Sequence, residues 1–208
     1  MPQFTCTECG AAFSLPPAVA ERYPGWTPRR CRACRDGRRG AGAPATAVEE
    51  NLTVAEVLDR YHGGPDTGVF TDGSADPNPG PGGWGAVYVV DGAVVAQSHG
   101  HEPYTTNNRM ELTALLAGYD LVAAGTPATV HTDSNLAVRT INEWAPQWER
   151  RGWRRKGGAI ANLDLVRLLY AKARQRPELE LRWIRGHGGA RWNEYADALS
   201  TAYRRSRV

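Results

Sequence analysis

The feature that most constrains this chain is a hairpin signal near its middle. Asp91-Gly92 separates two runs rich in β-branched and aromatic residues, WGAVYVV (84–90) and AVVAQS (93–98). An Asp-Gly pair favours the positive backbone dihedrals of a two-residue turn, so the flanking runs are predicted to be antiparallel strands. The preceding residues VFT, 69–71, begin a third strand. The chain is therefore predicted to fold around a sheet with an antiparallel part.

Helical and extended patterns alternate after the hairpin. Hydrophobic periodicity predicts helices over 110–125, 135–144, 163–173 and 193–203, with Gly125 ending the first, and strands over 128–132 and 179–185. The resulting order is three strands, helix, strand, helices, strand and helix. That order predicts a mixed sheet covered by helices, formed by residues 67–208 as one α/β domain.

Acidic residues stand where strands end. Asp72 follows VFT and Asp133 follows VHT, and sites in open α/β sheets are built at strand ends. Glu111 is expected in the first turn of its helix, where the helix dipole favours a carboxylate, and Asp197 lies in the last helix. A lone Asp at a strand end could simply cap the next helix. Four such acids together predict a site for Mg²⁺, which prefers oxygen ligands.

Long motifs in residues 67–208 resemble the type 1 ribonuclease H family. These motifs are FTDGSADPNPGPGGWGA, TTNNRMEL, TDSN, NEWAPQWERRGWRR and GHGGARWNEYAD. The resemblance implies an α/β ribonuclease H-like fold, with a mixed five-stranded sheet flanked by helices. It also implies an endonuclease that cuts the RNA strand of an RNA–DNA hybrid and leaves 5′-phosphate and 3′-hydroxyl ends. A non-catalytic hybrid-binding module and another nuclease of the same fold are the alternatives.

The resemblance assigns roles to individual positions. Two Mg²⁺ ions, for which Mn²⁺ could substitute, would be bound by Asp72, Glu111, Asp133 and Asp197. One ion would activate the attacking water and the other would stabilise the leaving 3′ oxygen. His187 would assist proton transfer or product release, since an imidazole titrates near neutral pH; a plain surface histidine is the alternative.

The same resemblance predicts contacts with the hybrid. They would come from Gly73, Asn78, Thr106, Asn107, Asn108, Arg109 and Asn135. Asparagine both donates and accepts, which suits sugar hydroxyls and base edges. Thr106 would contact a DNA-strand phosphate, and Arg109 would support the same region or pair with an acid. Gly73 would let the sugar–phosphate backbone approach the strand end.

A basic, aromatic segment follows the third acid. Trp144, Trp148 and Trp153 alternate with arginines that include Arg150, Arg151 and Arg154. The resemblance implies a protrusion that grips the DNA strand, with arginines on phosphates and indoles against the deoxyribose backbone. The alternative is that the three indoles belong to the core.

Four cysteines form two CxxC pairs near the start of the chain, Cys6 with Cys9 and Cys31 with Cys34. Four thiolates at this spacing predict one structural Zn²⁺ ion in a ribbon-like module over residues 1–40. A rubredoxin-like iron site, or disulfides in an exported protein, are the alternatives. Seven arginines against one acid in residues 22–39 suggest an accessory nucleic-acid clamp; a protein-docking module and a structural cap remain open.

Residues 41–66 are predicted to be a linker with one short amphipathic helix. Thr53 and Glu56 have capping-box spacing, and Val54, Val57, Leu58 and Tyr61 fall on one helical face. The net charge of +3 by itself does not indicate a nucleic-acid partner. Neither a signal peptide nor a membrane span is recognisable, so a cytoplasmic monomer without membrane contact is expected.

Overall fold

The computed structural model describes residues 3–7, 10, 12–15, 25, 27–31, 34 and 51–205 of the 208-residue chain. Its contacts divide the chain into two units, Met1–Glu50 and Asn51–Val208. In the first unit, strand β1 (Gln3–Thr5) pairs antiparallel with β2 (Ala12–Ser14). The predicted functional division into 1–40, 41–66 and 67–208 stays a prediction.

Five strands form the sheet of the second unit. They are β3 (Gly68–Ala75), β4 (Gly80–Val90), β5 (Ala93–Thr105), β6 (Ala128–Thr132) and β7 (Leu179–Trp183). The spatial order is β5-β4-β3-β6-β7; β3 and β5 run antiparallel to β4, whereas β3, β6 and β7 are parallel. Asp91 and Gly92, with φ of 51° and 75°, make the β4–β5 turn. The predicted mixed five-stranded sheet is confirmed.

Six helices accompany this sheet. They are α1 (Val54–Arg60), α2 (Asn107–Asp120), α3 (Asn135–Arg139), α4 (Ala145–Arg150), α5 (Leu163–Gln175) and α6 (Arg191–Ser200). A π-helical turn, Thr140–Trp144, joins α3 to α4, so the helix predicted over 135–144 continues to Arg150. None of the helices in the described part of the chain is long and apolar enough to cross a bilayer.

The central strand β3 buries both of its faces, because successive side chains of a strand point in opposite directions. Val69 and Phe70 are both fully buried. Val69 packs with residues of α2 and α5, such as Leu115 and Leu169, whereas Phe70 packs with α6 and with Val57 of α1. Helices therefore cover the sheet on both sides, and β3 lies between two cores.

Helix α2 differs from the prediction at both ends. It begins at Asn107, not at 110, because the Thr106 hydroxyl accepts the Arg109 N–H at 3.4 Å as an N-cap. It ends at Asp120 instead of Gly125, because the Arg176 guanidinium binds the carbonyls that follow, including that of Val122. Glu111 consequently lies in the second turn, and its predicted position in the first turn is wrong.

The short helix predicted between the cysteines and the sheet is present as α1. Thr53 and Glu56 form the expected capping box, with the Thr53 N–H donating to the Glu56 carboxylate at 2.7 Å. Val57 is only 1% exposed and faces the core beside α6. Helix α1 thus belongs to the second unit, which begins at Asn51.

Candidate active site

Three carboxylates converge where the parallel pairing of the two central strands, β3 and β6, ends. Asp72 lies in β3, Asp133 follows β6, and Glu111 reaches them from α2. Oxygen atoms of the three side chains lie within 4.8 Å of one another. Because Thr71 pairs with Thr132 in the parallel register, Asp72 and Asp133 lie side by side where this pairing ends. Asp72 itself lies within β3, which continues to Ala75 in its pairing with β4, so its predicted position at the end of a strand is wrong. The arrangement presents hard oxygen donors of the kind that divalent cations prefer.

Burial and mutual repulsion make these carboxylates reluctant to ionise. Burial, followed by the charges of Asp197 and Asp133, raises the pKa of Asp72 well above its usual value. The Ser200 hydroxyl donates to Asp72 Oδ2 at 2.6 Å and opposes that shift in pKa. Burial and the charge of Asp72 likewise raise the pKa of Glu111. Without a cation, the site holds more negative charge than its surroundings stabilise.

A second group of ligand-type side chains lies beside the first. His187, Glu194 and Asp197 have side-chain atoms within 4.8 Å of one another. The groups are electrostatically connected, since the charge of His187 opposes the rise in the pKa of Asp133 that burial causes. The structure thus places Asp197 near Asp72 but in one cluster with His187.

Glu194 is a site residue that the sequence analysis missed. It is buried, and its carboxylate accepts the Gly189 N–H at 3.1 Å. Its spacing carried the signal, because it precedes Asp197 by three residues and so shares a face of α6 with it.

The asparagines predicted to bind substrate also organise the protein. Asn107 Oδ1 accepts the Ala75 N–H at 2.6 Å, and Asn78 Oδ1 accepts the Asn107 N–H at 3.3 Å. These bonds join the β3–β4 turn to the start of α2. Asn108 and Asn135 are exposed at the starts of α2 and α3. The four residues, called the rim residues below, thus belong to the β3–β4 turn and to the starts of α2 and α3, close in sequence to Glu111 and Asp133.

Two predicted substrate contacts have a different structural role. Arg109 forms an ion pair with Asp164 at 2.9 Å, which is the alternative that its sequence left open. A Cβ on Gly73 would lie 2.2 Å from the Glu111 N atom, so a side chain there would collide with α2. Gly73 therefore lets the helix that carries Glu111 pack against β3, and its predicted role in the approach of the substrate backbone stays a prediction.

In the basic, aromatic segment, the tryptophans pack against the core or against one another, whereas the arginines are exposed. Trp144 and Trp148 have ring centroids 5.9 Å apart, and Trp148 and Trp153 pack partly against the core. Trp144 and Trp148 are four residues apart, which is the spacing that places two side chains on one helix face. Arg150, Arg151 and Arg154 are exposed. A cavity of about 100 Å³ between this segment and the start of α2 is lined by Asn108, Ser134, Trp144, Trp148 and Arg155, among others.

In the first unit, three of the four cysteines come together. The sulfur atoms of Cys6, Cys31 and Cys34 lie within 4.8 Å of one another, and all three residues are buried. Cys9 lies outside the described residues. The Thr7 N–H donates to the Arg29 carbonyl at 2.9 Å, which ties the β1 strand to the segment before Cys31. This agrees with the predicted small N-terminal module.

Comparison with known proteins decides the family. Residues 65–204 match the family RNase H. The chain belongs to the RNase H family. This RNase H-family match begins at residue 65, so it includes both clusters of the candidate active site and excludes the cysteine unit and α1. Family membership implies dependence on a divalent metal ion.

Several proteins called Ribonuclease H are similar to this RNase H-family chain. That of Granulibacter bethesdensis is 45% identical over 138 residues, which are 65% of this chain and 90% of the relative. That of Alkalilimnicola ehrlichii is 48% identical over 135 residues, 64% of this chain and 90% of the relative. That of Methylorubrum extorquens is 42% identical over 137 residues, 66% of this chain but only 59% of the relative. The chain thus spans less than two thirds of the last relative.

Solved structures agree with this assignment. LC9-RNase H1, a type 1 RNase H with the type 2 active-site motif, has a TM-score of 0.55 and 34% identity, covering 68% of this chain and 74% of that one. The PFV RNase H domain has the same fold, with a TM-score of 0.57 and 22% identity over 67% of this chain and 94% of that one. The predicted fold and the predicted enzyme class, a nuclease of the ribonuclease H type, are confirmed.

Proposed function

We propose that this RNase H-family protein is an endoribonuclease that hydrolyses the RNA strand of an RNA–DNA hybrid and leaves 5′-phosphate and 3′-hydroxyl ends. The observation that carries the proposal is the convergence of Asp72, Glu111 and Asp133 within 4.8 Å where the parallel pairing of β3 with β6 ends. The similar proteins named Ribonuclease H support the same reaction.

Mg²⁺ fits the donor set. The donors are carboxylate oxygens. Burial, followed by repulsion between neighbouring acids, raises the pKa of Asp72 and Glu111, and a divalent cation would stabilise their charged forms. Asp72, Glu111, Asp133 and Asp197 would hold two ions. When bound, the pair would supply an activated water and stabilise the leaving oxygen. Mn²⁺ also takes carboxylate ligands and would substitute.

The chain's own residues orient the hybrid and move protons. His187 is exposed beside Asp133 and Asp197, so its ring nitrogen would take up or deliver a proton near the scissile phosphate. Asn78 and Asn107 use Oδ1 as an acceptor within the protein, so their amide N–H groups would donate to sugar oxygens of the hybrid. Further contacts with the hybrid would come from Thr106, Asn108 and Asn135, as the family resemblance implies.

The basic segment would bind the DNA strand. Exposed Arg150, Arg151 and Arg154 would contact phosphates, and the exposed edges of Trp144, Trp148 and Trp153 would pack against deoxyribose. Because the indoles also pack on the core and on each other, they would hold the arginines in place.

A cleavage assay on one labelled RNA–DNA hybrid with Mg²⁺ tests the reaction. We would compare the intact chain with Asp72→Asn and with a matched control, Asp91→Asn, at the exposed β4–β5 turn. The intact chain and the control should cut only the RNA strand, while Asp72→Asn should lose at least about 10³-fold in rate. Duplex DNA and duplex RNA should stay intact.

Three results would contradict the proposal. A hybrid that is bound but never cut, even with Mn²⁺, would indicate a non-catalytic binding module. Cutting of duplex DNA or of a branched junction in preference to the hybrid would indicate another nuclease of the same fold. Products that carry a 3′-phosphate, detected by their mobility before and after phosphatase treatment, would contradict the proposed polarity.

We also propose one structural Zn²⁺ ion bound by Cys6, Cys9, Cys31 and Cys34. The close approach of three of these sulfur atoms supports it, and a small unit gains folding free energy from such an ion. Elemental analysis of the purified chain should give one zinc per molecule, and Cys6→Ser with Cys31→Ser should abolish it. Iron instead of zinc, or cysteines that resist thiol reagents until reduced, would contradict this assignment. A zinc thiolate site also fits a cytoplasmic location.

The arginines around the second cysteine pair support a role as an accessory nucleic-acid clamp. The Cys6→Ser, Cys31→Ser chain should therefore bind the hybrid more weakly and with a shallower dependence on salt. Unchanged affinity and salt slope would eliminate the clamp and favour a protein-docking module or a structural cap.

A further inference from the structure

The segment formed by residues 51–64 lies outside the family match, yet it packs against the part of the chain that carries His187. The match begins at residue 65, whereas the second structural unit begins at Asn51. Within this 51–64 segment, α1 buries Val57 against Trp192 and Leu199 of α6. Leu52, Val54 and Tyr61 pack against the same cluster. The segment is therefore fixed on α6 by an apolar contact.

Beyond α1, the 51–64 segment pairs with residues 190 and 191. These residues follow the loop that carries His187, residues 186–189, called the His187 loop below. Gly63 forms a parallel bridge with Ala190, and the Arg191 N–H donates to the Gly63 carbonyl at 2.8 Å. A Cβ on Gly64, whose φ is +90°, would lie 2.8 Å from the Ala190 Cβ. The absence of a side chain at Gly64 therefore lets the two backbones approach this closely.

The side chain of Arg191 completes the connection. Its Nε donates to the Tyr61 carbonyl at 2.5 Å, and Nη2 donates to the Leu58 carbonyl at 3.4 Å and lies 2.6 Å from His62 Nδ1. Leu58 and Tyr61 lie at the C-terminal end of α1, where carbonyls lack helical partners. A guanidinium is suited to this position, because it offers several donors and a positive charge at the negative end of the helix.

The junction that the segment holds is also the end of the His187 loop. The Gly189 N–H donates to the Glu194 carboxylate of α6, and the Arg191 N–H donates to the Gly63 carbonyl of the 51–64 segment. His187 lies two residues before Gly189, is exposed and has a φ of +47°. With glycines on both sides of His187, the junction after it is the nearest fixed point on its C-terminal side.

We propose that the 51–64 segment fixes the junction at residues 189–191, and that Arg191 is a positioning residue that holds His187 over the carboxylates. The role of His187 in this proposal rests on the proposed function. The anchoring itself rests on the contacts between the segment and α6.

Amide hydrogen exchange in the full-length chain tests the anchoring without reference to activity. Arg191→Ala should accelerate exchange at Gly189 and at residue 191 by about tenfold or more, because the bonds that hold them are weakened. Gly64→Ala tests the same contact from the other side, since its Cβ would push against Ala190. Arg176→Ala is the matched control, because Arg176 also binds helix-end carbonyls, those of Tyr119 and Val122, but on α2.

Single-turnover cleavage of the hybrid, measured with and without His187→Ala, tests the positioning. Arg191→Ala and Gly64→Ala should each lower the maximal rate by about tenfold and leave KM unchanged. Neither should lower the rate further when His187 is already alanine, whereas Arg176→Ala should have no effect in either background. A purely structural role would lower the rate equally in both backgrounds.

Two outcomes would overturn the proposal: unchanged exchange at Gly189 and residue 191 in both variants, or the same loss of rate with and without His187. A wild-type chain that does not cleave the hybrid would instead contradict the proposed function, and hydrogen exchange would still decide whether the 51–64 segment anchors the junction.

Discussion

The two sides of the candidate active site have different kinds of support. On the carboxylate side, Asp72 and Asp133 lie next to each other where the parallel pairing of β3 and β6 ends, and β3 is buried between two cores. On the loop side, His187 is exposed between two glycines and takes a positive φ. The carboxylate side therefore concentrates charge in a rigid frame, whereas the loop side carries a titratable group whose position depends on the ends of its loop. Substitutions that change charge should therefore affect the carboxylate side most, whereas substitutions that move the ends of the His187 loop should affect the contribution of His187 most.

The comparison predicts a large but incomplete loss of cleavage rate when the His187 side chain is removed. His187→Ala should lower the single-turnover rate on the hybrid by about 10²-fold, the scale of one general acid–base contribution. The Mg²⁺ concentration for half-maximal activity should change little, because the three clustered carboxylates remain. His101→Ala, at an exposed position in β5, is the matched control. A rate equal to that of the control would show that the loop side takes no part in the reaction.

Gly186 connects the two sides and offers a way to disturb both. A Cβ at this position would lie 2.2 Å from Asp133 Oδ2, so Gly186→Ala must displace that carboxylate. We expect a loss of about tenfold in rate, together with a higher Mg²⁺ requirement, since a small displacement of a ligand weakens catalysis. Titration of the rate with Mg²⁺ measures both effects. Gly188→Ala is the control, because the atoms nearest to its Cβ belong to Arg185, at 3.2 Å and beyond, and not to a carboxylate. An unchanged Mg²⁺ requirement would show that Asp133 tolerates the displacement.

The carboxylate side could be predicted from sequence because its signals are local. Asp72 and Asp133 each follow a short β-branched run, and the Asp91-Gly92 turn determines how β4 and β5 pair. Strands, turns and helical periodicity are encoded within a few residues, so the sheet and the positions of Asp72 and Asp133 after short apolar runs can be predicted from the sequence. The long family motifs added His187 and the rim residues.

The features that sequence analysis missed depend on contacts between distant residues. The ion pair of Arg109 with Asp164 joins residues 55 positions apart. Gly73 is required by a helix that approaches from more than 30 residues away, and no local pattern reveals that approach. The start of α2 was a different kind of error, because the cap at Thr106 was visible in the sequence but was interpreted only as a substrate contact.

The charge on the carboxylate side also predicts how stability depends on pH when metal is removed. Burial and neighbouring acids raise the pKa of Asp72 in the folded protein above its unfolded value. The folded state therefore binds this proton more tightly than the unfolded state does. The resulting stabilisation is fully present below the unfolded pKa, about 4, and is lost as the pH rises through the raised folded pKa.

Asp72→Asn removes this charge while an amide oxygen can still accept the Ser200 hydroxyl. With a chelator at pH 7, the variant should therefore be more stable than the wild type by about 1 kcal/mol, and the difference should disappear toward pH 4. Urea unfolding at both pH values measures it, with Asp91→Asn as the control. Saturating Mg²⁺ should reverse the order, because an ion that binds only the folded wild type stabilises it by mass action. A variant that is less stable than the wild type at pH 7 without metal would mean that the Asp72 carboxylate is compensated within the fold, and the contrast between a charged, rigid side and a movable side would then fail.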